Sequence, residues 1–173
     1  MKIEDRKLFL KYALPCASTF VTRGTLTQEH LNDLIRTVSD DNLPNENVEE
    51  MFKVANAMCK IIAMRMNKSS IDSEVIRQYF LLEHSKVVDD RYELMRDFNP
   101  IDCKTYAGIV TKTENGHAIV KTSRGEREYK TLFAKNAREK DMVVVHFDFI
   151  VELITEDTFK KMQTAELEYG KRN

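Results

Sequence analysis

The chain has 173 residues, 42% hydrophobic and 32% charged, which suits one ordinary domain or two small ones with a buried core. Its 27 Lys and Arg against 28 Asp and Glu leave a net charge of -1. That balance speaks against a general nucleic-acid binder, because neutralising phosphates needs a surplus of cations on one face. Five Gly and three Pro are too few for a linker-rich chain, and three widely spaced cysteines suggest neither a disulfide framework nor a Cys-x-x-Cys zinc site.

At the start, Lys11 interrupts the apolar run Leu8-Phe9-Leu10, and Glu4 and Asp5 spoil a signal-peptide pattern. The greasiest stretch, Ala57 to Met66, carries Lys60 and Arg65 and is far short of the roughly 20 residues a membrane span requires. The expectation is a soluble protein of a reducing, cytoplasmic compartment, with no membrane association.

Residues 1–99 read as an all-α module. Ile3, Leu8, Phe9 and Tyr12 line a short opening helix that Pro15 should end, and Thr27 can cap a second helix with Leu31, Leu34, Ile35 and Val38 on one face. Val48, Met51, Phe52, Ala55, Met58, Cys59, Ile62 and Met66 mark a third helix. A fourth begins after Ser70, with Ile71, Val75, Ile76, Tyr79, Phe80 and Leu82 as its stripe, and extends with a break through Val87-Val88 and Leu94-Met95 to Phe98. Asn99-Pro100 is a turn signal, and the hydrophobic period changes there from three and four to two, so a domain boundary is expected.

Residues 100–173 read as β followed by a helix. Asn115-Gly116 between alternating β-branched runs predicts a tight hairpin, because both turn residues must take positive φ. A second turn at Ser123 to Glu126, a strand from Arg127, a polar loop over Lys135 to Lys140, and strands at Met142 to Phe147 and Phe149 to Ile154 follow. Five short strands are most economically closed into a barrel, which removes exposed edges. Thr155-Glu156-Asp157-Thr158 opens a terminal helix carrying Phe159, Met162, Ala165 and Leu167. The fold class is therefore α+β: a helical module, then a small five-stranded OB-like barrel with a C-terminal helix.

Enzyme signatures are mostly absent: no Gly-rich phosphate loop, Gly-x-Ser-x-Gly elbow or His-Glu-x-x-His. The acid pairs Asp40-Asp41, Glu49-Glu50 and Asp89-Asp90 read as solvated charges near helices. Of the four histidines, His30 and His84 read as helix-surface residues and His117 as a turn residue; His146 ends an apolar strand, where a hydrogen-bonded structural role is the first reading. Cys16 and Cys59 have apolar neighbours. Cys103, between Asp102 and Lys104 at the barrel entry, reads as partly exposed and as a candidate nucleophile or soft-metal ligand.

The stretch Cys103-Lys104-Thr105-Tyr106-Ala107-Gly108-Ile109-Val110 resembles the Cys-x-x-Ile-Pro-Gly-x-Val opening of the HypC/HupF hydrogenase assembly chaperones. The resemblance continues through Ala118-Ile119-Val120, Gly125 to Tyr129, and Asp141-Met142-Val143-Val144-Val145-His146-Phe147-Asp148-Phe149-Ile150, covering about Cys103 to Lys161. It implies a barrel with a C-terminal helix that binds a HypD-like scaffold and the precursor of the [NiFe]-hydrogenase large subunit. In that role it helps to deliver iron carrying cyanide and carbonyl ligands. By the same resemblance, Cys103 and His146 contact the iron fragment or a partner, and Tyr106, Gly108 and Phe149 lie on the partner-facing surface. Ala107 stands where the family has Pro, Asp148 where it has Gly, and the Cys is internal rather than following the initiator Met.

These features favour a non-enzymatic accessory protein that handles a metallocentre precursor or docks a partner through its barrel. The alternative is a barrel reused as an adaptor without hydrogenase work, its helical module supplying a dimer or regulatory surface. Single-stranded nucleic acid is the lesser branch of that alternative: it would use Tyr106, Tyr129, Phe147 and Phe149 beside Lys121, Arg124, Arg127 and Lys130. An enzyme using Cys103 as nucleophile with His146 or His84 as base is the least favoured reading.

Overall fold

The computed structural model describes residues 1–91 and 99–170, and the chain divides into two compact units, Met1–Glu83 and His84–Asn173. The boundary expected at Asn99-Pro100 falls inside the second unit. The extension expected through Leu94-Met95 to Phe98 lies outside the described residues.

The first unit is helical. Asp5 caps α1 (Arg6–Ala13), its side chain accepting from the Leu8 amide at 3.0 Å. Pro15 does not end the helical path. It occupies the first turn of a 3-10 segment, Leu14–Ala17, where a missing N–H costs nothing, and α2 (Ser18–Thr22) follows directly. Thr27 caps α3 (Gln28–Ser39) as its sequence context predicts, accepting from the His30 amide at 3.2 Å. The expected third helix begins as a 3-10 turn, Val48–Met51, and becomes α4 (Lys53–Arg65) after Phe52. The fourth is capped by Asp72. It starts as α5 (Ser73–Arg77) and widens into a π segment, Gln78–Glu83, before the unit ends.

The core of this unit centres on Phe80, whose ring stacks on Tyr12 at 4.9 Å and meets Phe9 and Tyr79 edge-on at 6.0 and 4.7 Å. Ile3 lies outside α1. It pairs with Ile71 in a short parallel bridge, with Glu4 N–H to Ile71 O and Ile71 N–H to Lys2 O both 2.9 Å. The buried Glu49 carboxylate is held by both the Nε and Nη2 of Arg6, which answers the cost of burying its charge.

The second unit begins with α6 (His84–Arg91) and contains a closed five-stranded barrel: β1 (Thr105–Glu114), β2 (His117–Thr122), β3 (Gly125–Lys130), β4 (Met142–His146) and β5 (Phe149–Leu153), in the order β1-β2-β3-β5-β4. β1 also pairs with β4, and one parallel bridge, Lys130 to Phe149, closes the circuit. The hairpin is as its sequence predicts: Asn115 and Gly116 both have positive φ, 48° and 78°. Tyr106, Val110, Val120, Tyr129, Val143, Val145 and Ile150 fill the interior. A four-residue turn, α7 (Pro100–Cys103), leads into β1, and α8 (Glu156–Gly170) packs against β1 and β4.

At Gly108 the barrel wall leaves no room for a side chain. A Cβ there would overlap Val120 Cγ1 and lie 2.9 Å from Thr122 Cγ2, both on β2. β-branched side chains have little rotamer freedom with which to yield. Gly108→Ala is therefore expected to destabilise the protein by about 1–3 kcal/mol, read as a lower urea midpoint at unchanged slope. An unchanged midpoint would mean that β1 and β2 separate without cost.

Candidate metal centre

The site is built on α7. Asn99 caps this turn, its side chain accepting from the Ile101 amide at 3.1 Å, and Pro100 takes the first helical position. So short a helix cannot satisfy its own final carbonyls, and barrel residues supply the donors. Tyr106 Oη donates to Ile101 O (3.0 Å), Phe147 N–H to Asp102 O (3.2 Å) and His146 Nε2 to Cys103 O (2.7 Å). Arg124 and Arg127 both bind the Asp102 carboxylate, at 3.3 and 3.1 Å, and Lys104 pairs with Asp89 of α6 at 2.7 Å.

Cys103 thereby comes to stand beside two histidines. Its Sγ and one ring nitrogen each of His84 and His146 lie within 4.8 Å of one another, and all three residues are buried. The rings of His84 and His146 meet edge to face, with centroids 5.1 Å apart. His146 must donate through Nε2, because a carbonyl only accepts; in the neutral ring the lone pair is then on Nδ1. The Cys103 thiol lies beside the His84 ring. Burial pushes the His84 pKa below its ordinary value of 6.5, more than the neighbouring thiol raises it, so the ring is neutral at neutral pH. Its Nδ1 is a buried nitrogen that makes no hydrogen bond.

Of the residues singled out from sequence, Cys103 and His146 are brought together. Tyr106, Gly108 and Phe149 are not part of that cluster. Thr105 pairs with His146 and Tyr106 with Val145, so by strand alternation Tyr106 and Gly108 face the barrel interior, opposite to His146. Burial pushes the Tyr106 phenol up to about 12, which keeps it a donor. Phe149 is buried against Phe133, ring centroids 5.2 Å apart. Cys103 is 7% exposed rather than partly open, because the turn that carries it is tied down at successive carbonyls.

His84 was expected on a helix surface and is buried instead. The signal that would have found it is its spacing: four residues after Phe80 and four before Val88, both buried.

A thiol and two neutral imidazoles form a donor set suited to a borderline-soft metal ion, so this Cys/His cluster could hold one. With His84 as the base, a nucleophile–base pair would lack an orienting partner, since His84 Nδ1 makes no hydrogen bond. The basic residues named for nucleic acid are largely engaged within the unit. Arg124 and Arg127 share Asp102, and each also lies over a tyrosine ring, Tyr106 at 5.2 Å and Tyr129 at 5.9 Å. No helix among the described residues is long and apolar enough to cross a membrane. Comparison with protein-family models finds no match to this chain, and a search of curated proteins finds none either.

Two outcomes follow for the metal-free protein. His146→Leu removes the donor to a buried carbonyl and should cost about 1–3 kcal/mol by urea denaturation in chelator; an unchanged stability would contradict the anchoring role. His84 has a lowered folded pKa, so its contribution is complete above the unfolded value of 6.5 and is lost as pH falls toward the folded one. The wild-type midpoint should therefore drop between about pH 7 and about pH 5 more steeply than that of His84→Leu. Parallel profiles would refute the burial of a neutral His84.

Proposed function

We propose that this chain is a non-enzymatic, HypC-like accessory protein that handles a metallocentre precursor of the [NiFe]-hydrogenase type. The observation that carries the reading is the pairing of Cys103 with His146. These two positions, singled out by the resemblance and 43 residues apart in the chain, share a buried hydrogen bond and offer a thiol and an imidazole at one place. Such a pair is chemically suited to an iron fragment carrying cyanide and carbonyl ligands. Because both residues are buried, Cys103 acts in this proposal as a ligand inside the protein, not as an exposed thiol reaching into a partner. The partners it implies are a HypD-like scaffold and the large-subunit precursor, and the implied compartment is the reducing cytoplasm, where Cys103 stays a thiol.

One observation favours a second reading, a barrel reused as an adaptor module. Tyr106, Gly108 and Phe149, the rest of the surface implied by the resemblance, are buried in the barrel's own packing. The two readings separate in an anaerobic affinity purification from the native source, comparing wild type with Cys103→Ala and recording infrared spectra of the eluates. The proposal expects cyanide and carbonyl stretching bands, or a scaffold partner, that are lost in the variant. An unchanged partner list with no such bands would overturn it in favour of the adaptor.

A further inference from the structure

The stretch that resembles the chaperones begins at Cys103, so His84 lies outside it, yet α6 brings its imidazole to the same point as Cys103 and His146. We propose that His84, Cys103 and His146 are the protein ligands of a resident divalent metal site of the zinc type, with the Cys103 thiolate and one nitrogen of each imidazole bound to a single ion. The site does not rest on iron delivery, and because it uses the same Cys103 and His146, a zinc-type ion and an iron fragment would occupy it in turn, not together.

Geometry is the first support. Tetrahedral zinc with one sulfur and two nitrogen ligands sets the donors roughly 3.3–3.6 Å apart. Here all three lie within 4.8 Å, so side-chain adjustments of about an ångström close the site around an ion. Donor chemistry is the second. Sulfur and nitrogen with no carboxylate in the set select zinc, cobalt or iron over magnesium or calcium.

The surroundings of His146 are the third support. A metal-bound histidine usually donates its other N–H to a carboxylate or a backbone carbonyl, which fixes ring and tautomer. His146 already does this through Nε2 to Cys103 O, so Nδ1 would be its ligand atom. The same hydrogen bond ties one ligand to the main chain of another. Burial of all three side chains, at 7% exposure or less, is the fourth, since it suits an ion kept in place.

On binding, the ion replaces the proton of the Cys103 thiol, and that proton leaves to solvent. The imidazoles bind through lone pairs and release none. One thiolate leaves the centre with a single positive charge, and the tetrahedron is completed by a donor outside these three. The ion would join α6, α7 and β4, the last of them far from the other two in sequence.

The test uses the full chain, reduced and stripped of metal by a chelator, then titrated with cobalt(II) and afterwards zinc(II). One cobalt per chain is expected, with the strong visible bands of tetrahedral cobalt and a thiolate-to-cobalt charge-transfer band in the near ultraviolet, both erased by zinc. His84→Gln should weaken binding at least about tenfold. His84→Cys should retain binding and add one thiolate's worth of charge-transfer intensity, which decides the matter if the glutamine variant does not fold. Absence of the charge-transfer band in the wild type, or a His84→Cys spectrum identical to it, would overturn the proposal. Cobalt binding without infrared bands in the native eluate removes only the iron-delivery reading; bands without cobalt binding remove only the three-ligand site.

Discussion

The hydrogen bond from His146 Nε2 to the carbonyl of Cys103 joins the end of β4 to the turn that precedes β1, and the candidate site depends on it. A bond of 2.7 Å between two buried groups is expensive to lose, because neither can turn to water instead. It also sets the chemistry. With Nε2 committed to a carbonyl, the imidazole is held in one tautomer and one orientation, and the thiol of the acceptor residue is held within reach of the ring. A strand end and a loop become a pair of potential ligands through one main-chain contact.

The rest of the second unit supports that contact. β1 and β4 pair from Thr105 and His146 onward, so the barrel ladder sets the distance between the two residues before any side chain is considered. Donors from Tyr106 and Phe147 satisfy the carbonyls of Ile101 and Asp102, and the two arginines on Asp102 hold the turn from β3 and the loop before it. The Lys104–Asp89 ion pair links the same segment to α6, the helix that carries His84. Each link is modest alone. Together they give Cys103 little freedom, which fits a ligand and not a mobile thiol.

Much of this was legible in the sequence where local chemistry dominates. Asn115-Gly116 announced its hairpin because few residue pairs accept two successive positive φ values, and Thr27 announced its helix because a side-chain oxygen there meets an otherwise idle amide. Alternation gave the strands and hence the barrel. Pro15 misled, since proline is a breaker inside a helix but acceptable in the first turn of a new one, and the sequence alone does not say which of the two it meets. The π segment at Gln78–Glu83 was invisible for a related reason: a change of helical pitch leaves no compositional mark. Cys103 and His146 were found as individual positions. His84 was missed as a member of the cluster, because its polar side chain among charged neighbours masked the one signal of its burial, the spacing from Phe80 and Val88.

The most direct test of the account is long-range nitrogen–proton NMR of the histidine rings with and without zinc. The metal-free protein should show His146 protonated at Nε2. Zinc should then shift Nδ1 of His146 and one nitrogen of His84 into the range of metal-bound imidazole, with Nε2–H of His146 retained. A His146 protonated at Nδ1, or ring signals indifferent to zinc, would contradict the arrangement from which the whole reading is built.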